Sequence, residues 1–192
     1  MNLILASNSP RRKEILNKFG YDFTVKASNF SETNAQGDPI LVATGFAKGK
    51  ASDVFFSESR LNIGADFVVL GADTVVYFDG KIIGKPKDKA DAYKTLEMLS
   101  GNVHFVVTGF SVLSKNTRVL GYDVSEVVFN DLSEKTIAEY IATGKPLDKA
   151  GSYGIQDGFN LVRTVKGSVN NVIGLPIEKV KFILDGLLFN KK

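Results

Sequence analysis

The strongest constraint in this sequence is one long apolar stretch, Phe67–Phe78, near the middle of the chain. Its apolar residues are almost uninterrupted and do not alternate with polar ones, which predicts a central strand buried on both faces. Asp79-Gly80 is a hairpin-turn signal, so residues 81–84 are predicted to return as a second strand. That strand would lead Lys85-Pro86 into a rigid turn.

Two polar residues, Asp73 and Thr74, interrupt the apolar stretch. A carboxylate in apolar surroundings is costly unless it is paired, hydrogen-bonded or held at a functional site. Burial beside other charges is also how proteins tune the pKa of a general base. Structural aspartates do occur at strand bends, but the pattern favours a functional role for Asp73.

The chain begins with a short apolar run followed by Ser7-Asn8-Ser9-Pro10-Arg11-Arg12. This order predicts a strand followed by a helix, with a serine at the N-cap and a proline at the first helical position. The free N–H groups of a helix start attract anions, and the two arginines add positive charge, so the segment is a candidate phosphate-binding site. The alternative is a well-capped helix with solvated arginines, which the segment alone does not exclude.

Cap and stop signals predict four further helices, after Asp38, Asp88, Ser133 and Pro176. The helix after Asp38 carries Lys50 near its middle. A polar loop at residues 28–36 precedes that helix and carries Glu32.

Alternation and turn residues predict an antiparallel strand pair at residues 104–113 and 118–130. They also predict a last hairpin, formed by residues 159–165 and 169–173. Between these pairs, residues 146–158 are rich in glycine and charge and have neither helical nor strand period. Long loops of this kind in compact domains are usually functional.

The amino-acid composition excludes several classes of function. With 192 residues, 44% of them hydrophobic, the chain is expected to form a single domain over residues 1–192. It has no cysteine and one histidine, which excludes thiol catalysis and a multi-histidine metal site. The 24 basic against 21 acidic residues suit an anionic small molecule better than a nucleic acid. Without a visible signal peptide or membrane anchor, a cytoplasmic protein is expected.

The candidate residues together suit a nucleoside triphosphate. Arginine forks and lysine charges bind phosphate oxygens, while carboxylates hold Mg²⁺ or activate water. With one histidine and no cysteine, attack by activated water is the most economical mechanism. The regions that supply these residues are Arg11 with Arg12, Glu32 with Lys50, Asp73 and Thr74 with Lys85, and the loop at residues 148–156.

Six motifs, in order along nearly the whole chain, resemble the Maf family of nucleotide pyrophosphatases. They are Ser7-x-Ser9-Pro10-Arg11-Arg12, Gly71-Ala72-Asp73-Thr74, Gly84-Lys85-Pro86, Leu99-Ser100-Gly101, the segment from Pro146 to Gln156, and Gly174-Leu175-Pro176. The resemblance implies an α/β fold like that of inosine triphosphate pyrophosphatase: an elongated mixed β-sheet with surrounding helices, two lobes and a central cleft. It also implies cleavage between the α- and β-phosphates that depends on Mg²⁺ or another divalent cation.

The resemblance assigns roles by motif. Asp73 would be the general base, assisted by Lys85 and Glu32, and the metal would be held by Glu32 and Asp73. The phosphates would be bound by Ser7, Arg11, Lys50 and Lys85. Arg12, Thr74 and Gln156 belong to motifs of the branch that resembles dTTP/UTP pyrophosphatases, not the branch acting on 7-methyl-GTP, and would select the base.

The base-selecting role of Gln156 also has a physical reason. A primary amide offers a donor and an acceptor side by side, complementary to the N3–H and C=O edge of uracil or thymine. Because the amide can flip, it does not by itself exclude cytosine.

The leading hypothesis is therefore a pyrophosphatase for dTTP, UTP and modified pyrimidine nucleotides. A rival is a nucleotide-binding regulator of cell division or septum formation whose hydrolysis is incidental. The expected partner is a nucleotide, not a nucleic acid or a membrane. A homodimer is also among the expected assemblies, because dimers are common among similar proteins.

Overall fold

The computed structural model describes residues 1–33, 35–62 and 64–189. Asn34, which belongs to the loop predicted at residues 28–36, lies outside the described residues, as do Ile63 and residues 190–192 of the predicted domain. Within the described residues there are seven strands: β1 Asn2–Leu5, β2 Phe23–Val25, β3 Phe67–Phe78, β4 Lys81–Ile83, β5 Val103–Leu113, β6 Arg118–Phe129 and β7 Val162–Lys166. The same residues form six α-helices: α1 Pro10–Lys18, α2 Pro39–Leu61, α3 Lys89–Leu99, α4 Glu134–Ala142, α5 Val169–Ile173 and α6 Ile177–Leu188.

The strands form one mixed sheet in the order β2-β1-β3-β5-β6-β7, and β4 pairs with the far part of β3. β1 is parallel to both β2 and β3, whereas the β3–β5, β5–β6 and β6–β7 pairs are antiparallel. The α/β class and the mixed sheet expected from the sequence are confirmed. No helix in the described part of the chain is both long and apolar enough to span a membrane.

Strand β3 is buried on both faces, as its sequence predicts. Because side chains alternate along a strand, Val68 and Leu70 face one way and pack with residues of β1, α1 and α6. Val69 faces the other way and packs with Ala51 and Val54 of α2. Adjacent residues of β3 therefore lie on opposite faces of the sheet and have different surroundings.

Helix α2 lies unusually close to the sheet. On the helix side the contact is made by alanines one turn apart, Ala43, Ala47 and Ala51, all fully buried. On the sheet side it is made by glycines: a Cβ added to Gly71 would lie 2.5 Å from the Ala47 carbonyl oxygen, and one added to Gly109 would overlap the backbone of Ala43. Small residues on both surfaces thus allow the helix backbone to approach β3 and β5.

The prediction of a last hairpin is wrong in its second half. Residues 162–166 form β7, which pairs with β6, but Val169–Ile173 is the short helix α5. The physical reason is the cap: the Ser168 side chain accepts a hydrogen bond from the backbone N–H of Asn171, which satisfies a free donor at a helix start. A five-residue segment with three apolar residues and two asparagines does not by itself distinguish a strand from a helical turn.

The close approach of α2 predicts the effect of adding one methyl group to the sheet. Gly71→Ala is expected to destabilise the protein by about 1–3 kcal/mol, because the new Cβ meets helix backbone that cannot rotate away. Gly45→Ala is the matched control, since a Cβ at Gly45 on α2 meets no atom within 4 Å. It should gain up to about 1 kcal/mol from improved helix propensity. Urea unfolding measures both, and a Gly71→Ala variant as stable as the wild type would contradict the packing described here.

Candidate active site

A cleft of about 570 Å³ opens along the sheet beside β3 and the start of α1. Its walls come from β3, α1, α2, the turn after β4 and the loop that follows α4. All nine residues to which the sequence assigned a site role line this cleft: Ser7, Arg11, Arg12, Glu32, Lys50, Asp73, Thr74, Lys85 and Gln156.

Asp73 and Glu32 share one lysine. The Lys50 ammonium nitrogen lies 2.6 Å from an Asp73 carboxylate oxygen and 2.5 Å from a Glu32 carboxylate oxygen. Asp73 is buried, and this burial raises its pKa above the ordinary value, although the positive charges of Lys50 and Arg12 act in the opposite direction. A carboxylate with a raised pKa is a stronger base, as a water-activating group requires.

Glu32 has the opposite electrostatic balance. Its partial burial acts to raise the pKa, but the hydrogen bond and positive charge of Lys50 outweigh that effect, and the charges of Lys85 and Arg12 act in the same direction. The pKa of Glu32 is therefore lowered, and the group is held ionised. The two carboxylates on Lys50 differ in basicity because one is more deeply buried than the other.

The glycine before Lys50 has a packing role. A side chain at Gly49 would overlap the ring of Phe30, which lies in the loop before α2. Gly49 therefore allows this loop to rest on α2, and the same loop brings Glu32 to Lys50. Close packing at this helix glycine, unlike at Gly45, accounts for its presence.

Arg12 is buried and bonds three other parts of the site. Its Nε donates to the Gly174 carbonyl at 2.8 Å, one terminal nitrogen to the Ser7 hydroxyl at 3.0 Å, and the other to the Thr74 hydroxyl at 3.2 Å. The Ser7 oxygen also accepts from the N–H of Ser9 at 3.2 Å. With both lone pairs so used, the proton of the Ser7 hydroxyl can be donated to a ligand.

Arg11, the adjacent arginine, points to a different partner. It donates to Asp148 at 2.9 Å, and Lys149 also contacts this carboxylate at 2.9 Å. Partial burial acts to raise the pKa of Asp148, but the hydrogen bonds from Lys149 and Arg11 outweigh it, and the pKa is lowered. The sequence placed Asp148 in a functional loop without predicting this ion pair.

The loop that carries Gln156 is held in place by hydrogen bonds and an ion pair that involve buried polar groups. The Tyr140 hydroxyl of α4 donates to Asp157 at 2.6 Å and accepts from the Gly154 N–H at 2.9 Å, and Lys149 lies 3.3 Å from the Asp157 carboxylate. Gln156 itself is exposed and lines the cleft, as does the exposed Lys85. The loop is thus anchored while its glutamine remains accessible.

Two buried residues near the site were given no role from the sequence. Thr108 on β5 lies opposite Thr74 in the β3–β5 register, and their hydroxyl oxygens are 2.9 Å apart. Asn171 on α5 accepts from Thr108 through its backbone carbonyl. In the sequence, Thr108 differs from its neighbours only in being a polar residue inside an apolar predicted strand. The single histidine of the chain, His104, is buried and hydrogen-bonded to Tyr153, and burial lowers its pKa to about 4.

The arrangement of the acidic residues determines what kind of metal ion the cleft could hold. Within the described residues no group of three or more His, Cys, Asp or Glu side chains is placed to hold a metal ion. The described lining of the cleft includes three carboxylates. Asp148 pairs with Arg11, whereas Asp73 and Glu32 converge on Lys50. Mg²⁺ is commonly bound through only one or two carboxylates together with substrate phosphates, so this donor set fits a cation that binds with the substrate.

An α/β fold with arginine, lysine and carboxylate side chains around one cleft is typical of proteins that bind polyanionic small molecules. Comparison with known proteins agrees with this class. The chain belongs to the Maf family: the family described as Maf-like protein matches residues 2–187.

Curated relatives cover nearly the whole chain. A protein from Bacillus pumilus is 46% identical over 185 residues, with 95% of each chain covered. One from Aquifex aeolicus is 44% identical, with 96% of this chain and 94% of its own covered. One from Thermococcus gammatolerans is 45% identical, with 92% and 91% covered. Each of these three relatives is named dTTP/UTP pyrophosphatase.

The two adjacent arginines are predicted to differ in their contribution to stability. Arg12→Lys should cost about 2 kcal/mol or more, because one ammonium group cannot reproduce the three-way fork and leaves buried acceptors unpaired. Arg11→Lys, the matched control, should cost less than about 1 kcal/mol, since its Asp148 partner is largely exposed. Equal losses of unfolding free energy in urea would contradict these different roles.

Proposed function

We propose that this chain is a nucleoside triphosphate pyrophosphatase that hydrolyses dTTP and UTP, and modified pyrimidine nucleotides, to the monophosphate and pyrophosphate. The curated relatives that carry the name of this activity support it. The observation that carries it is the position of Asp73, a buried carboxylate held by Lys50 inside a cleft lined by arginine and lysine. The family match over residues 2–187 supports a single catalytic domain.

In the proposed reaction Asp73 acts as general base. It accepts a proton from a water molecule whose oxygen attacks the α-phosphorus atom. The bond between that phosphorus and the α–β bridging oxygen breaks, so the monophosphate forms and pyrophosphate leaves with the bridging oxygen. The ion pair with Lys50 fixes the carboxylate in one orientation, while its burial keeps its basicity higher than that of an exposed aspartate. Glu32 orients Lys50 from its other side.

The phosphate groups are proposed to bind along the cation-rich walls. Ser7 offers its hydroxyl proton, and Arg11, Lys50 and Lys85 offer charged donors that match phosphate oxygens. Asp148 holds Arg11 by an ion pair that a more highly charged triphosphate can displace. Since Arg11 is already turned toward the cleft, little reorganisation is needed when the phosphates bind.

A divalent cation, with Mg²⁺ as the proposed ion, would be held by Asp73 and Glu32 together with the substrate phosphates. When bound, the cation would neutralise part of the negative charge of the phosphates. The base is proposed to be read by Arg12, Thr74 and Gln156. A nucleotide-binding regulator with incidental hydrolysis is the less favoured function, because the relatives are named as enzymes.

Pyrophosphate release from a nucleotide panel tests the proposal. With Mg²⁺ present, dTTP and UTP are expected to yield pyrophosphate and the monophosphate, and chelation of the cation should stop the reaction. 7-Methyl-GTP serves as the control substrate. If it is cleaved while dTTP and UTP are not, the branch assignment is wrong, and if no nucleotide is cleaved, the proposed enzyme activity is wrong.

A further inference from the structure

A chain of hydrogen bonds runs from the cleft into the sheet through two threonines. Arg12 donates to the Thr74 hydroxyl oxygen, which lies 2.9 Å from the Thr108 hydroxyl oxygen. The Thr108 oxygen lies 2.9 Å from the backbone carbonyl of Asn171. Thr74 is partly exposed and lines the cleft, whereas Thr108 and Asn171 are fully buried.

Donor counting allows only one direction for this chain. A hydroxyl has a single proton, and a carbonyl can only accept, so the Thr108 proton must point to the Asn171 carbonyl. The short contact between the two hydroxyl oxygens then requires the Thr74 proton to point to Thr108. Arg12 can only donate, so it takes one of the two lone pairs on the Thr74 oxygen. Thr74 therefore keeps one lone pair and no proton for a ligand.

We infer that Thr108, a residue too deeply buried to touch substrate, makes Thr74 an obligate hydrogen-bond acceptor and so selects a base with an N–H at ring position 3. Uracil and thymine carry a proton on N3, whereas cytosine presents a bare N3 acceptor there. An acceptor facing another acceptor leaves both unpaired, which is the arrangement that sites reject most strongly. This inference rests on the proposed function.

The polarity of Thr74 removes the ambiguity left by Gln156. The amide of Gln156 can flip, so it can serve either a uracil or a cytosine edge. Thr74 cannot change its polarity while Thr108 is committed to Asn171. Arg12, which only donates, stands beside it. The fixed pair of donor and acceptor matches a carbonyl next to an N–H, as on the uracil ring. In this account Thr108 is a positioning residue that acts through Thr74.

Hydrolysis of UTP and CTP by the wild type and by Thr108→Val tests the inference. Valine has nearly the same shape but no hydroxyl, so the Thr74 proton loses its acceptor and can turn toward the cleft. The wild type should prefer UTP. The ratio of kcat/KM for UTP to that for CTP should fall about tenfold in Thr108→Val, a change of about 1.4 kcal/mol. Most of it should appear as a lower KM for CTP, because the base lies away from the reacting phosphates.

Thr108→Ser is the matched control, because it keeps the hydroxyl and should retain the wild-type ratio. Thr108→Ala removes the hydroxyl with a smaller side chain and replaces the valine variant if that variant does not fold. A wild type that cleaves CTP as well as UTP overturns the inference, as does a folded Thr108→Val with an unchanged ratio. A wild type that cleaves neither dTTP nor UTP instead contradicts the proposed function, so the two failures are distinguishable.

Discussion

The site depends on how closely helix α2 approaches the sheet. The contact is made by Gly71 and Gly109 on the strands and by Ala43, Ala47 and Ala51 on the helix, so no side chain larger than a methyl group separates the two backbones there. Larger residues at these positions would separate the layers, as helices are normally kept away from sheets by their side chains. At the observed distance the Lys50 ammonium reaches Asp73 directly and still contacts Glu32. The basicity proposed for catalysis therefore follows from a packing constraint.

Because side chains alternate along β3, its neighbouring residues Asp73 and Thr74 lie on opposite faces of the sheet. Asp73 lies on the sheet face covered by α2, where it meets Lys50. Thr74 points to the other face, where it meets Arg12 and Thr108. Two successive residues of one strand thus enter separate polar networks, although both line the same cleft. In the account proposed here, the first network carries the chemistry and the second reads the base.

Much of this could be predicted because it is encoded locally. The apolar run of β3, the Asp79-Gly80 turn and the helix caps are short-range signals. The six motifs contain seven of the nine proposed site residues, and all nine line one cleft. The remaining features depend on pairs far apart in sequence. Arg11 with Asp148 and Thr108 with Asn171 are separated by 137 and 63 residues, and no local pattern specifies such pairs. Helix α5 differs from the predicted strand because five residues are compatible with either structure, and the Ser168 cap favours the helix.

If the buried carboxylate of Asp73 activates water, the substitution Asp73→Asn should remove turnover and preserve nucleotide binding. Asparagine keeps the shape and an oxygen acceptor for Lys50, so the phosphate-binding walls should be preserved. Calorimetry should give a dissociation constant for UTP within a few-fold of the wild-type value. Pyrophosphate release should fall by about 10²–10⁴-fold, the usual contribution of a general base. Turnover at the wild-type rate in a folded Asp73→Asn protein would contradict the account.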